Sequence, residues 1–157
     1  MPIHYVQGDA TQPQGDGPKI VAHVCNDIGR WGKGFVLALS KRWKEPEHAY
    51  KEWFREGHNF ELGQVQFVPV SADITVANMI AQHRVAVKGE TGPPPIRYDA
   101  LEQALAQVAE QSLDRCASVH MPRIGCGVAG GRWEQVEPMV VRQLCERNIA
   151  VTVYDFE

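Results

Sequence analysis

Nowhere in this sequence do as many as about 18 apolar residues run together, so no segment has the length of a membrane-spanning helix. The first residues lack a basic stretch leading into an apolar one. The chain is therefore read as neither membrane-bound nor exported. No stretch gathers as many as about five or six charges of one sign, and 16 basic against 19 acidic residues leave a net charge of -3. General nucleic-acid binding is thereby excluded, although recognition of a modified nucleic-acid end is not. The four cysteines, Cys25, Cys116, Cys126 and Cys145, form no C-x-x-C pair, and no two histidines stand four apart. No metal site is expected, and the scattered thiols predict a reducing compartment, the cytoplasm. Neither an internal repeat nor a dividing linker is found, so residues 1–157 are read as one domain.

What the chain does have is alternation. Ile3–Gln7 is a short strand-like run, and Lys19–Cys25 is a near-continuous apolar run of the kind buried on both faces. Phe35, Leu39 and Trp43 recur every four residues and predict a helix ending before Pro46. Pro46 at a first helical position, with Ala49, Trp53 and Phe54 beyond it, predicts a second helix that stops at Gly57. Gln64–Val70 and Ile74–Ala81 are strands joined by Ser71-Ala72-Asp73, a link too short for a crossover, so they pair antiparallel. Lys88–Pro95 is a loop; a helix follows over about Ile96 to Arg115, then a strand over Ser118–Met121. Trp133–Arg147 reads as a helix in which Pro138 is tolerable only within the first turn, and Ala150–Tyr154 is the last strand. The expected fold is α/β, three layers around a mixed, mostly parallel central sheet.

Two glycine-rich loops stand between strand-like and helix-like segments: Asn26-Asp27-Ile28-Gly29-Arg30-Trp31-Gly32-Lys33-Gly34-Phe35 and Arg123-Ile124-Gly125-Cys126-Gly127-Val128-Ala129-Gly130-Gly131. Such loops expose backbone N–H groups at the positive end of a helix dipole, a ready site for phosphate. Two facing one crevice would grip a diphosphate from both sides. Gly125, Gly127 and Gly130 match G-x-G-x-x-G, yet only one strand remains after them and the nearest acid, Glu146, is predicted on the helix rather than beyond it, so a dinucleotide-binding oxidoreductase cannot be completed. Gly32-Lys33 fails the P-loop pattern, which would need glycine at 27 and a hydroxyl at 34 where Asp27 and Gly34 stand. Cys25 and Cys126 border the loops and are read as packing residues rather than nucleophiles.

Taken together, Gly8-Asp9-Ala10-Thr11, His23-Val24-Cys25-Asn26-Asp27, Trp31-Gly32-Lys33-Gly34 and Met121-Pro122-Arg123-Ile124-Gly125-Cys126-Gly127 resemble a macrodomain. The resemblance is to the branch holding the terminal ADP-ribose glycohydrolase and the yeast-type ADP-ribose-1''-phosphate phosphatase, and it runs from about Ile3 to Phe156. It implies that Asp9 accepts from the adenine amino group, with the N–H of Ala10 close to the base. On residue type alone Asp9 also suits a turn before Thr11. It implies Asn26 on the distal ribose, although an asparagine there could instead bond its own turn. Gly32, Lys33, Gly34 and Phe35 match one diphosphate loop; Gly125, Cys126, Gly127, Val128, Ala129, Gly130 and Gly131 match the other. Tyr154 and Phe156 flank the place from which an aromatic stacks on adenine, with Tyr154 ranked ahead.

In the glycohydrolase branch a lysine and an aspartate act together on the distal ribose, and here Gln82 and Ala129 occupy those places. The covalent lysine route is therefore closed. Asp27, holding a water, and His83, as acid or base, are the catalytic candidates, with His23 behind them as a core histidine. The resemblance implies binding of ADP-ribose or an ADP-ribosylated macromolecule, without cofactor or metal. It also implies hydrolysis at the distal ribose, either of ADP-ribose 1''-phosphate or of ADP-ribosyl esters. A reader module without chemistry and a binder of another adenylate are the alternatives.

Overall fold

In the computed structural model, which describes residues 2–156, the long apolar run becomes strand β2 (Lys19–Asn26), paired parallel to β4 (Ile74–Gln82) from Lys19↔Ile74 onward. Both strands are buried almost throughout because helices cover both faces of the sheet. Alternate residues divide between two clusters. Ile20, Ala22, Ala77 and Met79 pack under α3 (Tyr98–Arg115) and α4 (Trp133–Gln143). Val21, Cys25, Val76 and Ile80 pack under α1 (Phe35–Arg42) and α2 (Glu45–Glu56). With β1 (His4–Gln7), β3 (Val65–Pro69), β5 (Ser118–Met121) and β6 (Val151–Asp155) the sheet has the order β1-β6-β5-β2-β4-β3. Only β3 runs antiparallel, in the hairpin with β4 that the short link requires.

α2 stops where its glycine predicts: Gly57 takes the left-handed conformation at φ 74°, and its N–H donates to Trp53 O at 2.9 Å. Two expectations are corrected. α4 ends at Gln143 rather than Arg147, and Cys145–Arg147 forms a 3₁₀ turn leading to Asn148 at φ 62°. Pro138 is the sixth residue of α4, inside the helix and beyond its first turn, where its ring nitrogen cannot serve the carbonyl of Glu134. α3 begins at Tyr98 because the residues before it are spent elsewhere. Ile96 N–H donates to Ala129 O (3.0 Å) and Arg97 N–H to Ala81 O (2.8 Å), while His83 N–H donates to Pro95 O (2.8 Å). That segment ties the end of β4 to the second glycine loop.

Candidate functional site

β2 and β5 share hydrogen bonds only over Lys19–Val21 and Ser118–His120. Beyond that they part, and the chain leaves them toward opposite faces of the sheet, which opens a crevice at their carboxyl ends.

The first glycine loop is built around Asn26. Its Oδ1 accepts from the N–H groups of Ile28 and Arg30 (both 3.1 Å) and from Tyr50 Oη (2.8 Å), and its Nδ2 donates to Arg30 O (2.7 Å). From outside, the Phe54 ring closes on Gly29, which sits at φ 77°; a Cβ there would lie 2.4 Å from the ring. The loop delivers Gly34, at φ 80°, to the start of α1, where no side chain caps the free N–H groups. The second loop closes on itself through Gly131 N–H to Gly125 O (2.7 Å) and Gly130 N–H to Gly127 O (3.0 Å). Arg123 anchors its start. Its guanidinium takes both oxygens of Asp155 at 2.7 and 3.0 Å and lies 5.2 Å from the Tyr5 ring and 5.3 Å from that of Trp133.

The two loops meet. A Cβ on Gly34 would stand 3.6 Å from Val128 Cγ1. Under that contact runs a continuous groove with a waist of about 170 Å³ walled by Lys33, Gly34, Phe35, Gly125, Gly127 and Val128. Through Gly34, Phe35 and Pro122 the waist opens into an end cavity of about 340 Å³ holding Asp9, Ala10, Tyr154 and Phe156. Through Lys33, Gln82 and Val128 it opens the other way into a cavity of about 530 Å³ holding Asn26, Arg30, Gly32 and Val85 to Val87.

Apart from Cys126, Gly130, Gly131, Asp27 and His83, which line none of the three cavities, the sequence-predicted residues fall along this groove, some of them in changed roles. Asp9 forms the turn with one oxygen, Oδ1, which takes the N–H (2.8 Å) and hydroxyl (2.7 Å) of Thr11; Oδ2 lies 4.0 Å from the Arg42 guanidinium. Asn26 lines the larger cavity, but its amide holds the loop together, which is the alternative left open above. The ranking of the aromatics reverses. Tyr154 is 2% exposed, with its hydroxyl bonded to Gln14 N–H (2.8 Å) and His120 Nδ1 (2.7 Å), whereas Phe156 is 78% exposed and leaves a ring available. Ala129 lines the waist, and Gln82, whose Nε2 donates to Arg84 O (2.9 Å), lines both the waist and the larger cavity.

Asp27 and His83 do come together, with Nδ1 and Oδ2 at 2.8 Å, but neither lines any of the three cavities. The other Asp27 oxygen takes Arg84 N–H at 2.7 Å. The pair therefore braces the residues leading to the Val85–Val87 wall, a correction to the expected place at the reacting centre. His23 lines the waist. Asn78 gives its N–H groups to Pro46 O and Gln66 Oε1, so its Oδ1 accepts from His23 Nε2 at 2.5 Å. That fixes the tautomer and leaves His23 Nδ1 buried without a partner among the described residues. Burial pushes this imidazole down to about 4, so it is neutral at pH 7. Burial also pushes the Cys25 and Cys126 thiols up, away from thiolate, as packing residues require. Among the described residues no group of three histidines, cysteines or carboxylates could hold a metal ion, and no helix is long and apolar enough to cross a membrane.

Sequence reasoning missed Arg30, Pro122 and the Val85–Val87 wall as groove residues. Arg30 had a signal, being a cation inside a glycine loop. The valine wall had none, because contacts such as the brace at Asp27 and the bond from Gln82 Nε2 to Arg84 O, which spacing does not disclose, bring it there.

No family model matches the chain. The fold and sequence are similar to the macrodomain protein from Streptomyces coelicolor, with 52% identity, 98% of each chain covered and a TM-score of 0.85. Among curated proteins, the chain is 33% identical to the chromodomain-helicase-DNA-binding protein 1-like of Mus musculus, over 98% of its own length and 18% of that protein's. The chain thus spans less than a fifth of that relative. It is also 26% identical to the ADP-ribose 1''-phosphate phosphatase of Candida albicans, over 86% of this chain and 89% of that one.

Proposed function

The chain belongs to the macrodomain family, and from that premise we propose that it binds ADP-ribose along the groove and hydrolyses a bond at the ribose remote from adenine. The observation that carries the reading is a pair of glycines with no protein reason to be glycine. Gly32 and Gly127 lie on opposite loops, neither needs a positive φ, and a Cβ on either would meet nothing within 4 Å. Both line the groove, so the missing side chains leave room for a ligand pressed against backbone N–H groups. A diphosphate fits the waist against Gly127, beside Lys33 and the uncapped start of α1, with Gly32 just beyond in the larger cavity. Adenine then lies in the smaller end, stacked under Phe156, its amino group donating to Asp9 Oδ2 and its ring near Ala10 N–H. The far ribose lies beyond Lys33.

Chemistry at that ribose has little help from side chains. The larger cavity has no carboxylate in its lining, Gln82 and Ala129 supply neither base nor nucleophile, and Asp27 is committed to His83 and Arg84. The attacking water is therefore held by a diphosphate oxygen of the substrate itself, with loop N–H groups stabilising the charge that develops. The substrate is ADP-ribose 1''-phosphate or an ADP-ribosyl ester on a macromolecule. The same carboxylate-free lining favours a second reading, a module that holds ADP-ribose without cleaving it. Calorimetry with ADP-ribose and AMP, followed by incubation with ADP-ribose 1''-phosphate and a glutamate-linked ADP-ribosyl protein, separates the two. Hydrolysis expects release from at least one substrate; tight binding with no release from either establishes the reader.

A further inference from the structure

The larger end of the groove is too large and too positive for a sugar alone. A furanose is smaller than a purine, yet the purine end measures about 340 Å³ and the sugar end about 530 Å³. Arg30 and Lys33 both line this larger cavity, and no aspartate or glutamate does. Nine ion pairs elsewhere occupy cations such as Arg42, Arg84, Arg123 and Arg142, but among the described residues neither Arg30 nor Lys33 has a carboxylate within 4.0 Å. The nearby carboxylate, Asp27, makes its contacts with His83 Nδ1 and Arg84 N–H rather than with either cation, and it does not line this cavity. Lys33 also borders the waist, where a diphosphate would use its charge. Arg30 does not border the waist, so its charge is left over on the far side of the sugar.

Resting on the ADP-ribose reading above, we propose that Arg30 is a specificity-determining residue that selects a phosphate-bearing substituent on the far ribose over a neutral one. A guanidinium presents a planar fork of N–H donors, and a phosphate presents paired oxygens that match it. The Val85–Val87 wall and Val128 offer such a substituent no competing polar partner among their side chains. The phosphate can belong to a small 1''-phosphorylated molecule or to the phosphodiester end of a modified nucleic acid, and the shared chemistry is the anion.

The test compares four ligands by calorimetry: ADP-ribose, its 1''-O-methyl glycoside with an uncharged substituent, a 1''-C-phosphonomethyl analogue whose carbon linkage cannot be hydrolysed, and ADP-ribose joined through its far ribose to the terminal phosphate of a short oligonucleotide. The wild type should prefer a phosphonate or phosphodiester ligand over the methyl glycoside by about tenfold, the size of one charge-assisted contact. Arg30→Gln should bring that ratio close to one, while Arg30→Lys keeps part of it. Lys33→Gln should weaken all four ligands together and leave the ratio standing. Preference for only one of the two anionic ligands identifies the source of the phosphate. A wild type without preference, or a preference that survives Arg30→Gln in a protein of unchanged Tm, overturns the assignment of Arg30. Failure of the wild type to bind ADP-ribose at all defeats the ligand reading, and the Arg30 assignment falls with it.

Discussion

At the residue scale, the glycines of the two loops separate into those the protein needs and those a ligand needs. Gly125 sits at φ 74°, and a Cβ on Gly131 would lie 2.4 Å from Gly125 O. Gly131→Ala should therefore cost roughly 2 kcal/mol or more in urea unfolding, since backbone cannot give way as a side chain tip can. Gly127→Ala should leave the urea midpoint unchanged and lower ADP-ribose affinity by at least about tenfold, a Cβ there meeting only ligand. Equal losses of stability in the two variants would remove the distinction. Asp27 offers a second contrast. Its Oδ1 accepts from Arg84 N–H, and asparagine can do the same. Asp27→Asn should keep turnover within about threefold of wild type, and Asp27→Ala should raise KM by loosening the Val85–Val87 wall. If asparagine abolishes turnover, the carboxylate acts as a base after all.

At the scale of elements, the first glycine loop depends on a helix that follows it. Phe54 on α2 covers Gly29, so Gly29→Ala meets both a strained φ and an aromatic ring. A loss of about 2 kcal/mol is expected, and the double change with Phe54→Ala should cost less than the sum of the two, because one ring causes the clash. The same dependence explains which elements the sequence discloses. β2, β4 and the stop at Gly57 follow from apolar runs and a left-handed glycine, which are local matters. The start of α3 is not local, because Ile96 and Arg97 give their N–H groups to Ala129 and Ala81. The place of Pro138 depends on where α4 begins, and Arg132 N–H there is held by Tyr98 Oη at 3.0 Å. The glycine loops were legible because their chemistry lies in the backbone. Asp27 and His83 were legible as two candidates but not as a bonded brace, since nothing in their spacing says which way the wall beyond them faces. Tyr154 lies in β6 and Phe156 just past its end, and the alternation that would send both rings to one face cannot tell a covered ring from an open one.

At the scale of the whole molecule, two imidazoles are folded in neutral. His23 and His120 are each pushed down to about 4, His23 by burial and His120 by burial with Lys19 adding to it. Their folded values lie below the usual 6.5, so the unfolded chain binds more protons between the two. Stability is then full above about pH 6.5, falls as the pH drops toward 4, and changes no further on their account below that. The loss is on the order of 3 kcal/mol for each imidazole. Urea midpoints measured from pH 7 to pH 4 should show this decline before the carboxylates paired with arginine, Asp155 and Glu102, whose values are lowered, begin to protonate. A midpoint flat across that range would mean that neither imidazole is held neutral.

The place of Val128 opposite Gly34 also predicts timing. The side chain overhangs the narrow middle of a dumbbell-shaped channel whose two ends are wider. A guest with bulky ends cannot be threaded lengthwise past it and must be laid in from the side while the valine, half exposed at 48%, swings clear. Trimming that bolt in Val128→Ala should quicken both capture and escape in stopped-flow traces, by similar factors, and so hardly move the equilibrium between them.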